Sequence, residues 1–185
     1  MAAQSSTIPS FQKNGKPHAG VCKLNSLYST ILPKSTSPLC RSIYSLTQTL
    51  LELNLKIPSN NWMQTPSQDH LNIADSLLDS ILLHPIDPVP PTALTKVSER
   101  IPPICRILFL RDLERANFPG WTFAWDRPWE SQWNQLLSKF ILKHWQNASC
   151  AGAFKAFHIN PNDSLDEILR IGILHRWFLG CQEGV

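Results

Sequence analysis

The sequence predicts an all-α protein, a small irregular helical bundle with a disordered basic tail at its N-terminus. Three observations support this class. Apolar residues recur at helical spacing in several segments, prolines and turn residues separate those segments, and strand-like alternation is confined to residues 121–125. A chain of 185 residues corresponds to one domain with room for a tail.

The first segment, residues 1–37, is predicted to be a disordered tail because Ser, Thr, Asn, Lys, Gly and Pro dominate it. Residues 1–51 hold five basic groups and no acid, whereas the remaining 134 residues hold 12 basic and 14 acidic groups. Such a tail either binds an anionic partner, such as nucleic acid or a membrane surface, or is simply solvated. One apolar pattern within it predicts a short helix that docks on binding: Leu24, Leu27, Tyr28, Ile31 and Leu32.

The cysteines and the N-terminal composition bear on cellular location. The chain has five cysteines, an odd number, and no two are close in sequence, which is typical of reduced thiols in a cytoplasmic or nuclear protein. The first ten residues lack the charged start and apolar run of a secretory signal. The acid-free, Ser- and Thr-rich N-terminus also fits a transit peptide, so the alternative is an organellar protein after removal of that segment.

Residues 38–91 are predicted to form a helical hairpin followed by a proline-rich linker. Ser37 and Pro38 open the first helix as N-cap and first helical residue, and its apolar stripe comprises Leu39, Ile43, Leu46, Leu50, Leu51 and Leu53. The second helix spans 68–83, with a buried face of Leu71, Ala74, Leu77, Leu78, Ile81 and Leu82. Four prolines between residues 85 and 91 exclude a continuous helix there.

Residues 92–181 are predicted to form a tryptophan-rich helical core. Its first helix ends near Ala116 and carries the apolar residues Ile104, Ile107, Leu108, Leu110 and Leu113, with Asp112 on a solvated, charged face. Residues 121–125 form an extended packing segment, because five residues without a partner strand do not make a sheet. Asp126 is expected to cap the next helix, over residues 128–148.

The last helix is predicted over residues 165–179. Ser164 and Glu167 have the spacing of a capping box at its start, and Gly180 is placed to end it. Its apolar residues cover most of its circumference, which predicts a central position: Leu165, Ile168, Leu169, Ile171, Leu174, Trp177 and Phe178.

Five residues form the candidate partner-binding surface: Trp121, Trp125, Trp129, Lys139 and Lys143. Tryptophans dominate both cores and interfaces, so the three rings either pack in the core or line a partly exposed groove. Lys139 and Lys143 are one helical turn apart and make a small basic patch or a solvated face.

The ingredients of catalysis and metal binding are missing from the sequence. It contains no GxSxG, phosphate-loop, CxxC or HExxH motif. His18 and Cys22 have a usable metal spacing but stand alone, and His144, His158 and His175 are far apart in the chain. No run of about 18 apolar residues is present for a membrane span. The sequence therefore predicts no catalytic residue, no metal, no cofactor and no enzymatic activity.

The stretch FPGWTFAWDRPWESQWNQLLSKFILKHWQNASCAGAF, together with GILHRWFLG, resembles uncharacterised fungal open reading frames of the mobile-element-associated kind. The pattern comprises Phe118, Pro119, Thr122, Phe123, Trp125, Trp133, His144, Trp145, Gly152, Ala153, Phe154, Arg176, Trp177 and Gly180. The resemblance covers about the last third of the chain. Because such frames are often longer and lie in repeat-rich regions, it implies a shortened copy and a nucleic-acid-associated role. It implies no activity and no site residue.

The sequence thus predicts a non-catalytic module for protein–protein interaction or assembly, with a protein partner or a second copy of itself. The expected binding surface is the exposed edge of the tryptophan cluster or the apolar stripe of residues 39–55. The alternative is a nucleic-acid-associated accessory protein that uses its acid-free N-terminal segment as an electrostatic arm. A third class is a small enzyme whose site is assembled only in three dimensions, which a deep polar pocket holding His144, His158 or His175 beside a carboxylate would indicate.

Overall fold

The computed structural model describes residues 26, 28–52, 67–83, 98–118 and 120–183. Within these ranges all regular secondary structure is helical and no strand occurs, so the predicted all-α class is confirmed. The predictions for residues 1–25, for Leu53 and for the proline-rich linker lie outside the described residues. Residues 28–31, within the predicted tail, are helical, as the apolar pattern there predicts.

The helix α1 spans Pro38–Leu51 and begins as predicted. The Ser37 side chain accepts a hydrogen bond from the Cys40 backbone N–H at 3.4 Å, which satisfies one amide of the first turn. The helix ends at Glu52, whose left-handed φ of 51° lets its N–H bond the carbonyls of the last turn. The described part of the apolar stripe is confirmed, since each member is at most 2% exposed: Leu39, Ile43, Leu46, Leu50 and Leu51.

The helix α2 spans Gln68–Leu83, the bounds that its sequence predicts. Part of its predicted face is buried, namely Leu71, Ala74 and Leu78. The prediction for Leu77 is wrong, because this side chain is 37% exposed. The side chains of Ile81 and Leu82 lie outside the described residues.

The helix α3 spans Pro103–Arg115 and ends one residue before the predicted end. Two positions differ from expectation. Ile107, a member of the predicted apolar pattern, is 61% exposed, while Asp112, predicted on a solvated face, is only 3% exposed. Asp112 is buried because it pairs with a histidine of the next helix, as described below.

The helix α4 spans Gln132–Cys150 and begins four residues later than predicted. Ser131, and not Asp126, is the N-cap, and its side chain accepts a hydrogen bond from the Asn134 N–H at 3.4 Å. Residues 125–131 form turns, so Trp129 lies before the helix instead of within it. The first turn of the predicted helix, beginning at Pro128, is not helical. The Asn134 side chain donates hydrogen bonds to the carbonyls of Ala124 and Pro128 and holds this stretch in another conformation.

The C-terminal part contains a short 3₁₀ turn, Lys155–Phe157, and two consecutive helices, α5 (Pro161–Leu165) and α6 (Glu167–Glu183). The predicted capping box is wrong. Asn160 caps α5 by accepting from the Asn162 N–H at 3.1 Å, and Asp166 accepts from the Leu169 N–H at 2.9 Å at the start of α6.

The helix α6 also departs from its predicted end and burial. It continues through Gly180 to Glu183, so the glycine does not terminate it. Leu165 and Ile168 are 80% and 83% exposed, so the first turns are not central, whereas Leu174 and Phe178 are fully buried.

One hydrophobic core joins helices from both predicted segments. The helix α1 packs against α3, α4 and α6, and α2 packs against α4 and α3. The division into segments at residue 91 stays a prediction, since helices on both sides of it share the core. Among the described helices, none is both long and apolar enough to cross a bilayer.

Candidate interaction surface

Residues 121–131, named here the aromatic segment, are fixed to α4 by the buried amide of Asn134. Its Oδ1 accepts from the Ala124 N–H at 2.9 Å, and its Nδ2 donates to the carbonyls of Ala124 and Pro128 at 3.2 and 2.9 Å. The Trp133 indole N–H donates to the Thr122 carbonyl at 3.0 Å. These bonds satisfy backbone groups that have no helix or sheet partner, which is why an irregular segment can be buried.

Two of the three candidate tryptophans are core residues. Trp125 stacks on Phe178, with ring centroids 5.4 Å apart, and Trp129 stacks on His175 at 4.6 Å. Trp125 and Trp129 are only 8% and 7% exposed. Their rings therefore stabilise the packing of the aromatic segment on α6, and a partner reaches little of either.

Trp121 is the candidate tryptophan that meets solvent, with 36% of its surface exposed. The Arg106 guanidinium of α3 lies 5.9 Å from its ring centroid, within the range of a cation–π contact. Arg106 is itself held by Glu52, at 3.0 Å between Nη2 and Oε2. Trp121 and Arg106 are named the Trp121 patch below. Ile107, the next residue of α3, is also exposed.

The two candidate lysines do not form an open basic patch. Lys139 is exposed, but its Nζ lies 2.9 Å from Asp75 Oδ1 and ties α4 to α2. Lys143 is half-buried and has a partner of its own. Trp125 and Trp129 therefore belong to the core, Lys139 pairs two helices, and Trp121 belongs to the exposed Trp121 patch.

A buried polar cluster joins α3 to α4 through Asp112 and His144. His144 Nε2 lies 3.3 Å from Asp112 Oδ2, and the side chains are 7% and 5% exposed. Arg111 and Arg115 approach the other carboxylate oxygen at 3.4 and 3.5 Å. Burial raises the pKa of Asp112, but attraction to His144 and Arg111 outweighs burial and holds that pKa below its ordinary value.

A histidine beside a carboxylate is a common catalytic pair, so the role of this pair depends on whether a substrate can reach it. Phe109 packs edge-on against His144, with ring centroids 5.5 Å apart. Because both side chains are enclosed, a substrate does not reach them in this conformation. The pair fits a cross-link between two helices better than a proton-transfer site.

A second histidine lies between the aromatic segment and residue 28. His175 stacks on Trp129, and its Nδ1 forms a hydrogen bond with the Tyr28 hydroxyl. Burial lowers the pKa of His175 to about 4, although the charge of Glu130 acts in the opposite direction. The imidazole is therefore neutral near pH 7 and serves as a packing group.

Metal ligands do not cluster in the part of the chain that the structure describes, where no group of three or more His, Cys, Asp or Glu side chains could hold an ion. None of the cysteines described there forms a disulfide. His18 and Cys22 lie outside that part. His158 is exposed at the end of the 3₁₀ turn.

Comparisons of the chain with protein-family models, with curated proteins and with solved structures find no match. The resemblance to fungal reading frames therefore stays a prediction. Most described residues of its pattern are buried, including Phe123, Trp133 and Trp145. The pattern thus reports how this core packs and identifies no functional group.

Proposed function

We propose that the protein is a non-catalytic helical module for protein–protein interaction or assembly, and that a protein partner contacts the Trp121 patch. One observation carries this proposal. Trp121 is 36% exposed, whereas every other tryptophan within the described ranges is at most 8% exposed. An aromatic ring left in solvent beside a well-packed aromatic core is a candidate anchor for a partner.

The chemistry of the Trp121 patch supports this reading. Tryptophan and arginine are enriched among the residues that dominate binding energy at protein interfaces. Arg106 is held between Glu52 and the Trp121 ring, so little side-chain freedom remains to be lost on binding. Ile107, the residue after Arg106 in α3, is itself 61% exposed.

The buried polar groups support the non-catalytic part of the proposal. Asp112 and His144 form an acid–base pair within the described residues, with His144 Nε2 3.3 Å from Asp112 Oδ2, and both side chains are enclosed. Their neighbours Arg111 and Arg115 neutralise the carboxylate. The packing of α3 against α4 therefore explains why these two side chains are buried together.

The test is to place a photo-crosslinking amino acid at Ile107 in the full chain and to identify the protein captured in cells. The captured protein is then purified, and its affinity is measured for the wild type and for Trp121→Ala. We expect Trp121→Ala to weaken binding about tenfold or more, as for a central interface residue. Ile73→Ala, at an exposed isoleucine of α2, is the matched control and leaves the affinity unchanged. Equal binding by wild type and Trp121→Ala, or no captured protein, contradicts the proposal.

Nucleic-acid association is the second candidate, favoured by the absence of any acid among residues 1–51. A salt titration of the affinity for a duplex and a single-stranded oligonucleotide separates it from the first. Contacts with several phosphates cause a steep loss of affinity as salt rises. No binding at low salt would eliminate this candidate and leave the Trp121 patch unaffected.

A further inference from the structure

A second exposed apolar surface lies at the junction of α5 and α6. It consists of Leu165, Ile168 and Ile171, which are 80%, 83% and 39% exposed, and is named the α5–α6 ridge. Ile168 and Ile171 are one turn apart in α6 and lie on the same side of that helix, whereas Leu165 ends α5 just before the break at Asp166. Three large aliphatic side chains exposed within seven residues of the chain exceed the scattered apolar residues that every surface carries.

Further along α6, other residues of the chain cover the helix face on which Ile168 lies. Ile168, Gly172 and His175 have the spacing of one face of α6. The Tyr28 hydroxyl bonds His175, and Leu32 lies so close to Gly172 that an added Cβ would come within 3.0 Å of its Cδ2. The helical residues 28–31 thus sit over the second half of this face, while its first half stays open. This face of α6 therefore already packs against a short helix.

The ridge is held in place before any partner arrives. Arg170 is only 7% exposed, and its guanidinium lies 5.5 Å from the centroid of the Trp145 ring. From there Arg170 donates a hydrogen bond to the Ser164 carbonyl, which ties the end of α5 to the first turns of α6. Asp166 caps α6 at the same point. A surface fixed in this way loses little freedom on binding.

The border of the ridge is acidic. Asp163, Asp166 and Glu167 are all exposed beside its apolar residues, and the ion pairs formed within the described part of the chain do not use them. A second copy binding through the same surface would bring like charges together, because a two-fold interface pairs a patch with itself. A positively charged partner meets complementary charge instead.

We propose that the α5–α6 ridge binds a short amphipathic helix of a partner protein, with aliphatic residues on one face and Lys or Arg beside them. This is the helix-in-groove mode of recognition, with anchors at helical spacing. The surface is separate from the Trp121 patch, so either proposal can fail while the other stands.

The probes are two synthetic amphipathic peptides of about 14 residues, a typical helix length. Both carry the same leucine face, and their polar face is lysine in one and glutamate in the other. Titration of the full chain is expected to show that the lysine peptide binds about tenfold more tightly than the glutamate peptide. This preference is expected to shrink as salt rises.

Matched variants locate the binding. Ile168→Ser is expected to weaken the lysine peptide about tenfold, and Leu165→Ser provides a second variant at an exposed residue. Ile73→Ser changes an isoleucine that is 45% exposed on α2 and is expected to have no effect. The double variant Asp163→Asn with Glu167→Gln is expected to reduce the preference for lysine over glutamate without abolishing binding.

Several outcomes would overturn the proposal. They are no binding of the lysine peptide, equal binding of the two peptides, or equal effects of Ile168→Ser and Ile73→Ser. A dimer of the wild type that Ile168→Ser dissociates in sedimentation would also overturn it, because the ridge would then bind a second copy. Circular dichroism of each variant verifies that its helices are intact.

Discussion

The two halves of α6 have similar apolar composition and different environments. In the second half, Phe178 is fully buried, and its ring packs against Phe123 and Trp125 of the aromatic segment. In the first half, Ile168 is 83% exposed. The difference lies in what packs over each side chain, because the aromatic segment covers Phe178 and Leu32 packs at Gly172, one turn after Ile168. Burial in this protein is therefore decided by neighbouring segments and not by the hydrophobicity of the helix itself.

The largest expected difference between the two halves is in stability. Phe178→Ala should lower the free energy of unfolding by about 3–5 kcal/mol, since it removes a buried ring that contacts Phe123, Trp125 and Trp129. Ile168→Ala should change it by less than about 0.5 kcal/mol, because the side chain is already in water. Urea unfolding of the two variants measures both effects.

Equal losses from these two substitutions would break the comparison. They would mean that the first half of α6 is covered in solution. Tryptophan fluorescence followed alongside circular dichroism verifies that the Phe178→Ala transition remains a single cooperative step.

The second expected effect is a loss of stability at low pH, which arises from His175 in the second half of α6. His175 has a pKa of about 4 when folded and about 6.5 when unfolded. Between these values the unfolded chain binds a proton that the folded chain does not. Stability is therefore fully present above about pH 6.5 and is lost as the pH falls towards 4, by at most about 3 kcal/mol. Unfolding measured from pH 7.5 to pH 4 gives the size of the loss.

His175→Gln is the control for this effect. It removes the titrating group, so its stability should fall less steeply over the same pH range than that of the wild type. Asp112 loses its stabilising contribution only as the pH falls below its ordinary pKa of 3.8, because its folded pKa is lowered, and this separates the two groups. Parallel curves for wild type and His175→Gln would show that another group controls the transition.

The smallest expected effect comes from two glycines of α6. Gly180→Ala should stabilise the protein by about 0.5–1 kcal/mol, because alanine favours the helix and a Cβ there meets no atom within 4 Å. Gly172→Ala gains the same propensity, but its Cβ would press on Leu32 at 3.0 Å. Thermal unfolding should therefore show a smaller gain, or a loss, for Gly172→Ala. A larger gain at Gly172 would mean that residues 28–32 do not pack there in solution.

Much of the fold could be predicted from local sequence. The Ser37 cap and the stripe of α1, and both ends of α2, follow from spacing and capping chemistry alone. The start of α4 does not, because Asp126 and Ser131 are both good N-caps. The choice between them depends on Asn134, whose side chain bonds to Ala124 and Pro128 hold the intervening turns open. Such bonds have no signature in the local pattern.

The surfaces were harder to predict than the helices. The sequence does not distinguish Trp121 from Trp125 and Trp129. Their exposure differs because the rings of Trp125 and Trp129 pack against α6. Asp112 and His144 are 32 positions apart in the sequence, so their contact depends on how α3 and α4 pack. The sequence does not predict the exposure of Leu165 and Ile168, because apolar residues at helical spacing predict a buried face. In the structure both side chains are exposed to solvent.

The contrast between Trp121 and its buried neighbours gives the protein a natural optical reporter. An indole in water emits at longer wavelength than an enclosed one and is open to collisional quenchers such as iodide. A partner that settles on the Trp121 patch should shift that emission towards the blue and shield it from iodide. The indoles enclosed within the described ranges would supply a nearly constant background against which this change is measured.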